Sequence, residues 1–485
     1  MKSRTGVFAL TFAATILWLA PQSASGQGVW TDRLAEFKSM VVNIEKSSEI
    51  VFETEEQGTS YGTGFIVDAE RGIIATNAHV AGTSPSYVKV HFHDGSFTEA
   101  WTVYYDPTHD FAFYKIDPDV PVTLRAVTLG SGRDLAVGDE VLLIGNNEKE
   151  EYSIKLGSVA NLNVNKGDRH SSYIHSTFDR TGGSSGSPVW NAEGEVVALH
   201  ARGTETSSFE LPIDYVVDAL AKIRSGEPIR RGEIGVDLEL ITVGEAVRHF
   251  GLPQSVVSGM EFDGSGTPRV MQVETLIPRT AGAARFKSGD IVYAVDGEVL
   301  RDDLYRFDQL LNAAVGESVT LTVYRNGQRM DVAVPVTDME QSKVRRFVQF
   351  AGATIHEITP KLRAFFAFQG DGVYMSYAPQ GSSLSSIGLN DPDLGNPMVI
   401  IAEFAGRPVR NLDDFVAAAR GLEDGDHTYV ISRDLMLFET ALMPYSVTLN
   451  LKYGPLGVFE WSEEELDWVE SGEKRTETAE DGRGR

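Results

Sequence analysis

The sequence predicts a mainly β protein assembled from several domains, on three observations. The chain has 485 residues, more than a single hydrophobic core organises. Between residues 56 and 226, short β-rich runs (64–67, 87–92, 111–116, 140–144 and 196–199) alternate with Gly, Asp and Asn, the rhythm of a barrel or sandwich. Beyond residue 228 one pattern occurs twice: a Gly-containing start, strands, a helix and closing strands.

Lys2 and Arg4 precede an apolar run from Val7 to Ala20, and Ser23, Ala24, Ser25 and Gly26 supply small residues for cleavage. Residues 1–25 therefore read as a secretory signal peptide, and the protein as exported, periplasmic or extracellular. The run is shorter than the ~18–20 residues of a spanning helix, so no stable membrane span is expected. Residues 26–55 form an N-terminal segment in which Leu34, Phe37, Val41 and Ile44 fall at helical spacing after Trp30. Residues 56–226 are the β-rich domain, closed by a helix that follows Leu211-Pro212-Ile213-Asp214-Tyr215. A Gly/Pro-containing linker covers 225–232.

The first repeat, 230–337, starts at Glu233-Ile234-Gly235-Val236. It continues with a helix pattern (Phe307, Leu310, Leu311, Ala314) and a hairpin turn at Asn326-Gly327. The second, 345–452, starts at Phe350-Ala351-Gly352-Ala353 and is divergent, lacking the compact Gly289-Asp290-Ile291 step of the first. Residues 453–485 read as an acidic, disordered tail, with Glu463, Glu464, Glu465, Leu466, Asp467 and Trp468 as a solvated helix face.

A net charge of −26, from 43 basic and 69 acidic residues, argues against nucleic acid as a partner. With no cysteine, disulfides, Cys-ligated metals and thiol-protease chemistry are excluded. His91 and His93 alternate on an expected strand, but no third ligand sits at metal-binding spacing, so no metal or cofactor is expected.

Chemistry concentrates in three places. Thr181-Gly182-Gly183-Ser184-Ser185-Gly186-Ser187-Pro188-Val189 holds a serine between glycines, which let the backbone turn tightly and aim N–H groups at a reacting carbonyl oxygen. Upstream lie His79, in Ala75-Thr76-Asn77-Ala78-His79-Val80, and Asp110, in Asp106-Pro107-Thr108-His109-Asp110-Phe111. His, then Asp, then Ser is the chain order of chymotrypsin-type double β-barrel proteases. Ser185 is the expected nucleophile, His79 its base and Asp110 the group that orients the imidazole. The backbone N–H groups of Gly183 and Ser185 are the expected oxyanion hole, and Ser184 and Ser187 are the rival serines.

A unit of this kind followed by two repeats resembles the HtrA/Deg family of exported serine proteases, over roughly residues 56 to 452. Gly183-Ser184-Ser185-Gly186-Ser187-Pro188 departs from the Gly-Asn-Ser-Gly-Gly of bacterial members and is closer to a Deg-type branch with Ser-Gly-Ser-Pro. The resemblance implies a chymotrypsin-like double β-barrel followed by two PDZ-like α+β domains. It implies a cofactor-independent endopeptidase acting on unfolded or misfolded polypeptides. It also implies that Glu233, Ile234, Gly235 and Val236 form a loop binding protein C-termini. A homotrimer, or a multiple of one, is implied too, with Trp30, Leu34 and Phe37 as apolar residues that have no place in the protease core. Family members cut after small aliphatic residues. Here the position six before Ser185, the floor of the S1 pocket, is Asp179; a carboxylate there would favour Lys or Arg. The expectation is that Asp179 turns away and pairs locally, with Arg180 or a backbone N–H, and that cleavage falls mainly after small aliphatic residues, with a basic P1 as the alternative. A proteolytically silent peptide-binding chaperone or scaffold, and a processing protease of narrow specificity, stay open.

Overall fold

The computed structural model describes residues 30–471 apart from 148–149, 166–170, 180–181, 205–206, 261–266, 388–397, 436–440, 453, 463 and 466. The expected signal peptide lies outside the described residues. Among the described residues, no helix is long and apolar enough to cross a membrane.

Two closed six-stranded barrels form the first domain. The first contains β1 (Val41–Ser48), β2 (Gly58–Asp68), β3 (Ile73–Thr76), β4 (Tyr87–His91), β5 (Phe97–Tyr105) and β6 (Ala112–Lys115), in the order β1-β2-β3-β6-β5-β4. The second contains β7 (Glu140–Asn147), β8 (Glu150–Val164), β9 (Tyr173–Ser176), β10 (Pro188–Trp190), β11 (Val196–Thr204) and β12 (Ser207–Pro212), in the order β10-β11-β12-β9-β8-β7. Closure leaves neither barrel a free edge. Helix α1 (Leu34–Lys38) precedes β1, α2 (Ala78–Ala81) is a single turn after β3, and α3 (Asp214–Ser225) ends the domain at Gly226, whose φ of +74° closes the helix.

Of the segment 26–55, expected outside the barrels, residues 30–55 are described, and they are drawn into the protease domain. The helical spacing of Leu34 and Phe37 stops where α1 caps at Ser39. The β-branched Val41, Val42 and Ile44 then run as β1 between β2 and β4. Trp30 and Phe37 are buried. Phe37 stacks on Trp190 with centroids 5.0 Å apart, and Trp30 Nε1 donates to the Asn191 carbonyl at 2.9 Å. These rings fill the protease core, so they offer no surface to another subunit.

The next unit holds β13 (Gly232–Glu233), β14 (Val236–Thr242), α4 (Val243–Phe250), α5 (Gln254–Val257), β15 (Arg269–Leu276), α6 (Ala281–Arg285), β16 (Ile291–Val295), β17 (Glu298–Val299), α7 (Leu304–Ala313), β18 (Ser318–Arg325), β19 (Gln328–Pro335) and β20 (Thr337–Asp338). Its sheet runs β14-β15-β16-β18-β19. Asn326 and Gly327 both have positive φ, as a two-residue hairpin turn of this hand requires.

The last unit holds β21 (Arg346–Phe350), β22 (Ala353–Glu357), α8 (Pro360–Phe365), β23 (Val373–Tyr377), β24 (Val399–Phe404), β25 (Arg407–Pro408), α9 (Leu412–Ala419), β26 (His427–Asp434), β27 (Met443–Thr448), β28 (Gly457–Ser462) and β29 (Asp467–Glu470). Its sheet runs β27-β26-β24-β23-β22-β21-β28-β29. Residues expected in a disordered tail thus supply two strands. Phe459 stacks on Phe347 at 4.8 Å, and Trp468 meets Phe347 and Phe52 edge-on at 4.9 and 5.2 Å. Aromatic burial outweighs the charge run that suggested a solvated helix.

The loop after β1 is the seat of this last unit on the protease. Phe52 packs among Phe347, His356 and Trp468. The Glu53 N–H donates to His356 Nε2 at 3.0 Å, while His356 Nδ1 lies 2.7 Å from the Glu357 carbonyl and donates to it. That pair of bonds requires a neutral ring. Burial pushes the His356 pKa below its ordinary 6.5, against the raising effect of its bond to Glu357 and of the Glu53 and Glu55 charges. Its contribution to stability is therefore complete above about pH 6.5 and is lost as pH falls below it, where the unfolded chain takes up a proton that the folded chain resists. We expect the melting temperature to drop between pH 7 and 5, and part of that slope to vanish in His356→Gln; equal slopes in the two proteins would exclude the assignment.

Candidate active site

The single turn α2 and the segment after β5 bring His79 and Asp110 together. His79 Nδ1 lies 2.7 Å from Asp110 Oδ2, and the His79 N–H donates to Asp110 Oδ1 at 3.0 Å. Asn77 Nδ2 donates to the Asp110 carbonyl at 2.8 Å, fixing the backbone that carries the carboxylate. Burial alone would raise the Asp110 pKa; the His79 charge and hydrogen bonds outweigh it and hold the carboxyl below its ordinary range. The imidazole itself is half exposed, its side chain 49% accessible.

Ser185 stands across the same cleft, of ≈ 730 Å³, on the turn before β10. Thr63, on β2, fastens this turn to the first barrel. Its N–H donates to the Ser185 carbonyl at 2.8 Å, and its hydroxyl donates to the Gly183 carbonyl at 2.9 Å and accepts from the Asn146 N–H at 2.9 Å. The glycines are required by shape. Gly183 and Gly186 have φ of +89° and +88°, and an added Cβ would stand 2.3 Å from the Asn146 carbonyl and 2.0 Å from the Thr63 carbonyl. Of the three serines, Ser185 is partly accessible, whereas Ser184 and Ser187 are 3% and 0% exposed. Ser187 Oγ donates to the Ser184 carbonyl at 2.6 Å.

Asp179 does not join them. It is exposed and outside the cleft lining, and Lys155 Nζ donates to its carbonyl at 2.6 Å. Its neighbour Phe178 is buried in the barrel core and is likewise outside the cleft lining. His91 Nε2 pairs with Glu45 at 3.1 Å, and among the described residues no group of three or more His, Asp or Glu could hold a metal ion.

Both C-terminal units reach the segment that carries Asp110. Arg231 Nε donates to Asp106 Oδ2 at 2.5 Å, and Lys343 Nζ donates to the Tyr105 carbonyl at 2.5 Å. His109, next to Asp110, is buried with Nε2 3.3 Å from Asp308 of α7 and Nδ1 3.0 Å from Ser171 Oγ. The cleft itself is walled by Asp237, Glu274 and Thr275 of the first unit and by Lys361, Ala364 and Phe365 of the second.

The loop Glu233, Ile234, Gly235 and Val236 leads into β14, an edge strand among the described residues. The Glu233 carboxylate turns back onto the Gly235 N–H, so one loop amide already holds a carboxylate. The corresponding strand of the second unit is β22, and it is paired on both sides, with β21 and β23. α9 lies along β21 and β22. The chain's own β21 therefore occupies the place where a peptide would add as a strand.

Residues 62–199 match the trypsin-like peptidase domain family, 232–336 the PDZ domain family and 343–425 the PDZ-like domain family. The pro-apoptotic serine protease nma111 of Aspergillus terreus is 32% identical over 417 residues, 84% of this chain and 39% of that protein. The PDZ domain-containing protein C23G3.12c of Schizosaccharomyces pombe is 30% identical over 422 residues, 84% of this chain and 41% of that protein. The chain thus spans 39% and 41% of the length of these curated relatives. Among solved structures, the HtrA-type protease AlgW with tripeptide is 21% identical, with a TM-score of 0.48 over 64% of this chain and 97% of that one. Two barrels of trypsin-like peptidase type followed by two PDZ domains make the chain a member of the HtrA/Deg family.

Proposed function

We propose that the chain is a serine endopeptidase that cleaves unfolded or misfolded polypeptides through an acyl-enzyme on Ser185. The observation that carries this is the 2.7 Å His79–Asp110 pair set in one cleft with the accessible serine of a glycine-held turn. His79 Nε2 takes the Ser185 proton as Oγ attacks the scissile carbonyl, then returns it to the leaving amine. Asp110 holds Nδ1–H and stabilises the imidazolium, and the N–H groups of Gly183 and Ser185 receive the oxyanion. Water then repeats the sequence and frees the acid. The β14 edge and its loop hold a polypeptide C-terminus as an added strand once Glu233 swings aside. Export rests on the basic, apolar and small-residue succession of the first residues. A homotrimer, or a multiple of one, would have to use surfaces other than Trp30 and Phe37.

The test is digestion of one protein in native and chemically unfolded form. Fragments from the unfolded form alone, undiminished by EDTA, are expected. Binding of the unfolded form without any cleavage would favour a silent chaperone instead.

A further inference from the structure

β11 runs beside the Ser185 turn. The Gly186 N–H donates to the His200 carbonyl at 3.0 Å, and the His200 N–H donates to the Ser187 carbonyl at 2.9 Å. His200 is thereby hydrogen-bonded to the residues that follow Ser185. The residue is 2% exposed, yet it lines the cleft that holds His79 and Ser185. Nδ1 lies 2.8 Å from Glu210 Oε2 and 3.0 Å from Ser208 Oγ. Glu210 is itself buried and accepts from Ser176 Oγ at 2.6 Å on its other oxygen. A carboxylate only accepts, so Nδ1 carries the hydrogen. His200 Nε2 has no hydrogen-bond partner among the described residues. It is not among the buried side-chain atoms that lack a partner, so it is open to the cleft that His200 lines, where a ligand can meet it.

We propose that His200 determines specificity in the pocket for the P1 side chain, and that the preferred P1 residue carries a terminal carboxamide, Gln or Asn. The inference rests on the reading of Ser185 as nucleophile. With Nδ1–H committed to Glu210, Nε2 is an acceptor in the neutral ring and a donor in the charged one. A carboxamide has both a donor and an acceptor, so it meets Nε2 in either state. A carboxylate meets only the charged ring, and Lys or Arg only the neutral one. An aliphatic P1 leaves Nε2 unmatched, and a site built for a hydrogen bond rejects a substrate lacking it. Asp179, the residue that would ask for Lys or Arg, is exposed outside the cleft lining. Glu210 acts through His200 as a positioning residue.

The test uses the full chain, a library of peptides from a digested proteome, and sequencing of the new termini by mass spectrometry. A fluorophosphonate probe reports on Ser185 in parallel. Gln and Asn should be favoured over Ala and Val at P1 by roughly ten- to a hundredfold in kcat/KM. That preference should collapse in His200→Ala and weaken in Glu210→Gln, while both variants still take the probe at Ser185. The wild-type profile decides alone if a variant does not fold. Cleavage after small aliphatic or basic residues, with Ser185 labelled and no Gln or Asn enrichment, overturns the assignment and leaves the protease reading standing. Absence of both cleavage and label in the wild type overturns that reading and this inference with it.

Discussion

Ser185→Ala should abolish turnover of an unfolded substrate, with kcat falling by about 10⁶-fold, the loss typical when a triad serine is removed. Alanine at this position removes the attacking oxygen and leaves the turn in place, because the bonds that Thr63 makes there go to the Ser185 and Gly183 carbonyls and to the Asn146 N–H. The flanking serines provide the control. Ser184 is buried, and Ser187 is fully buried with its hydroxyl directed at the Ser184 carbonyl at 2.6 Å. Ser187→Ala loses one internal hydrogen bond, about 1 kcal/mol of stability, and keeps the chemistry. Steady-state rates on one denatured substrate, with circular dichroism to verify folding, separate the three variants. Loss of turnover in Ser187→Ala with full activity in Ser185→Ala would reverse the assignment.

Asp110→Asn should lower kcat by about 10⁴-fold with little loss of fold stability. The reason is a tautomer. Asp110 uses one oxygen to accept from the His79 N–H and the other to accept from Nδ1. An asparagine that keeps its carbonyl on the His79 N–H must turn its NH₂ toward Nδ1. Nδ1 then has to accept, the proton moves to Nε2, and the ring loses the lone pair that takes the Ser185 proton. The shape is kept and the base is lost. The Asp110 carboxyl of the wild type is held below its ordinary range and stays ionised through neutral pH, whereas an asparagine amide carries no charge there to stabilise the imidazolium. A variant within tenfold of wild type would show that Asp110 does not set the ring.

The sequence made the order His79, Asp110, Ser185 legible, because each lies in a local run whose glycines and β-branched neighbours have local causes. The same holds for the Asn326-Gly327 hairpin and for the glycine-containing start of the first PDZ unit. Residues whose role depends on distant partners were not legible. β1 looked helical because Leu34, Phe37, Val41 and Ile44 keep helical spacing, and only the pairing with β2 and β4 decides otherwise. β28 and β29 are hidden by a charge run, although Phe459, Trp461 and Trp468 lie within it and half-bury their rings against one another and Phe347. The pairs His109–Asp308, Arg231–Asp106 and Glu53–His356 join residues more than a hundred positions apart and leave no local trace. The signal for His200 was present but faint: a histidine ending an apolar run that faces Glu210 ten residues on. A fixed count back from Ser185 reaches Asp179, but a count gives position and not orientation: the residue is exposed and outside the cleft lining.

The most direct measurement on acyl transfer at Ser185 is peptide mapping of the full-length chain after reaction with a fluorophosphonate, which bonds covalently to an activated serine oxygen. One adduct per chain on Ser185, absent in Ser185→Ala and greatly slowed in Asp110→Asn, is the expected result. An adduct on Ser184, Ser187 or a serine outside the cleft, or no adduct on a folded chain that still cleaves, would contradict it.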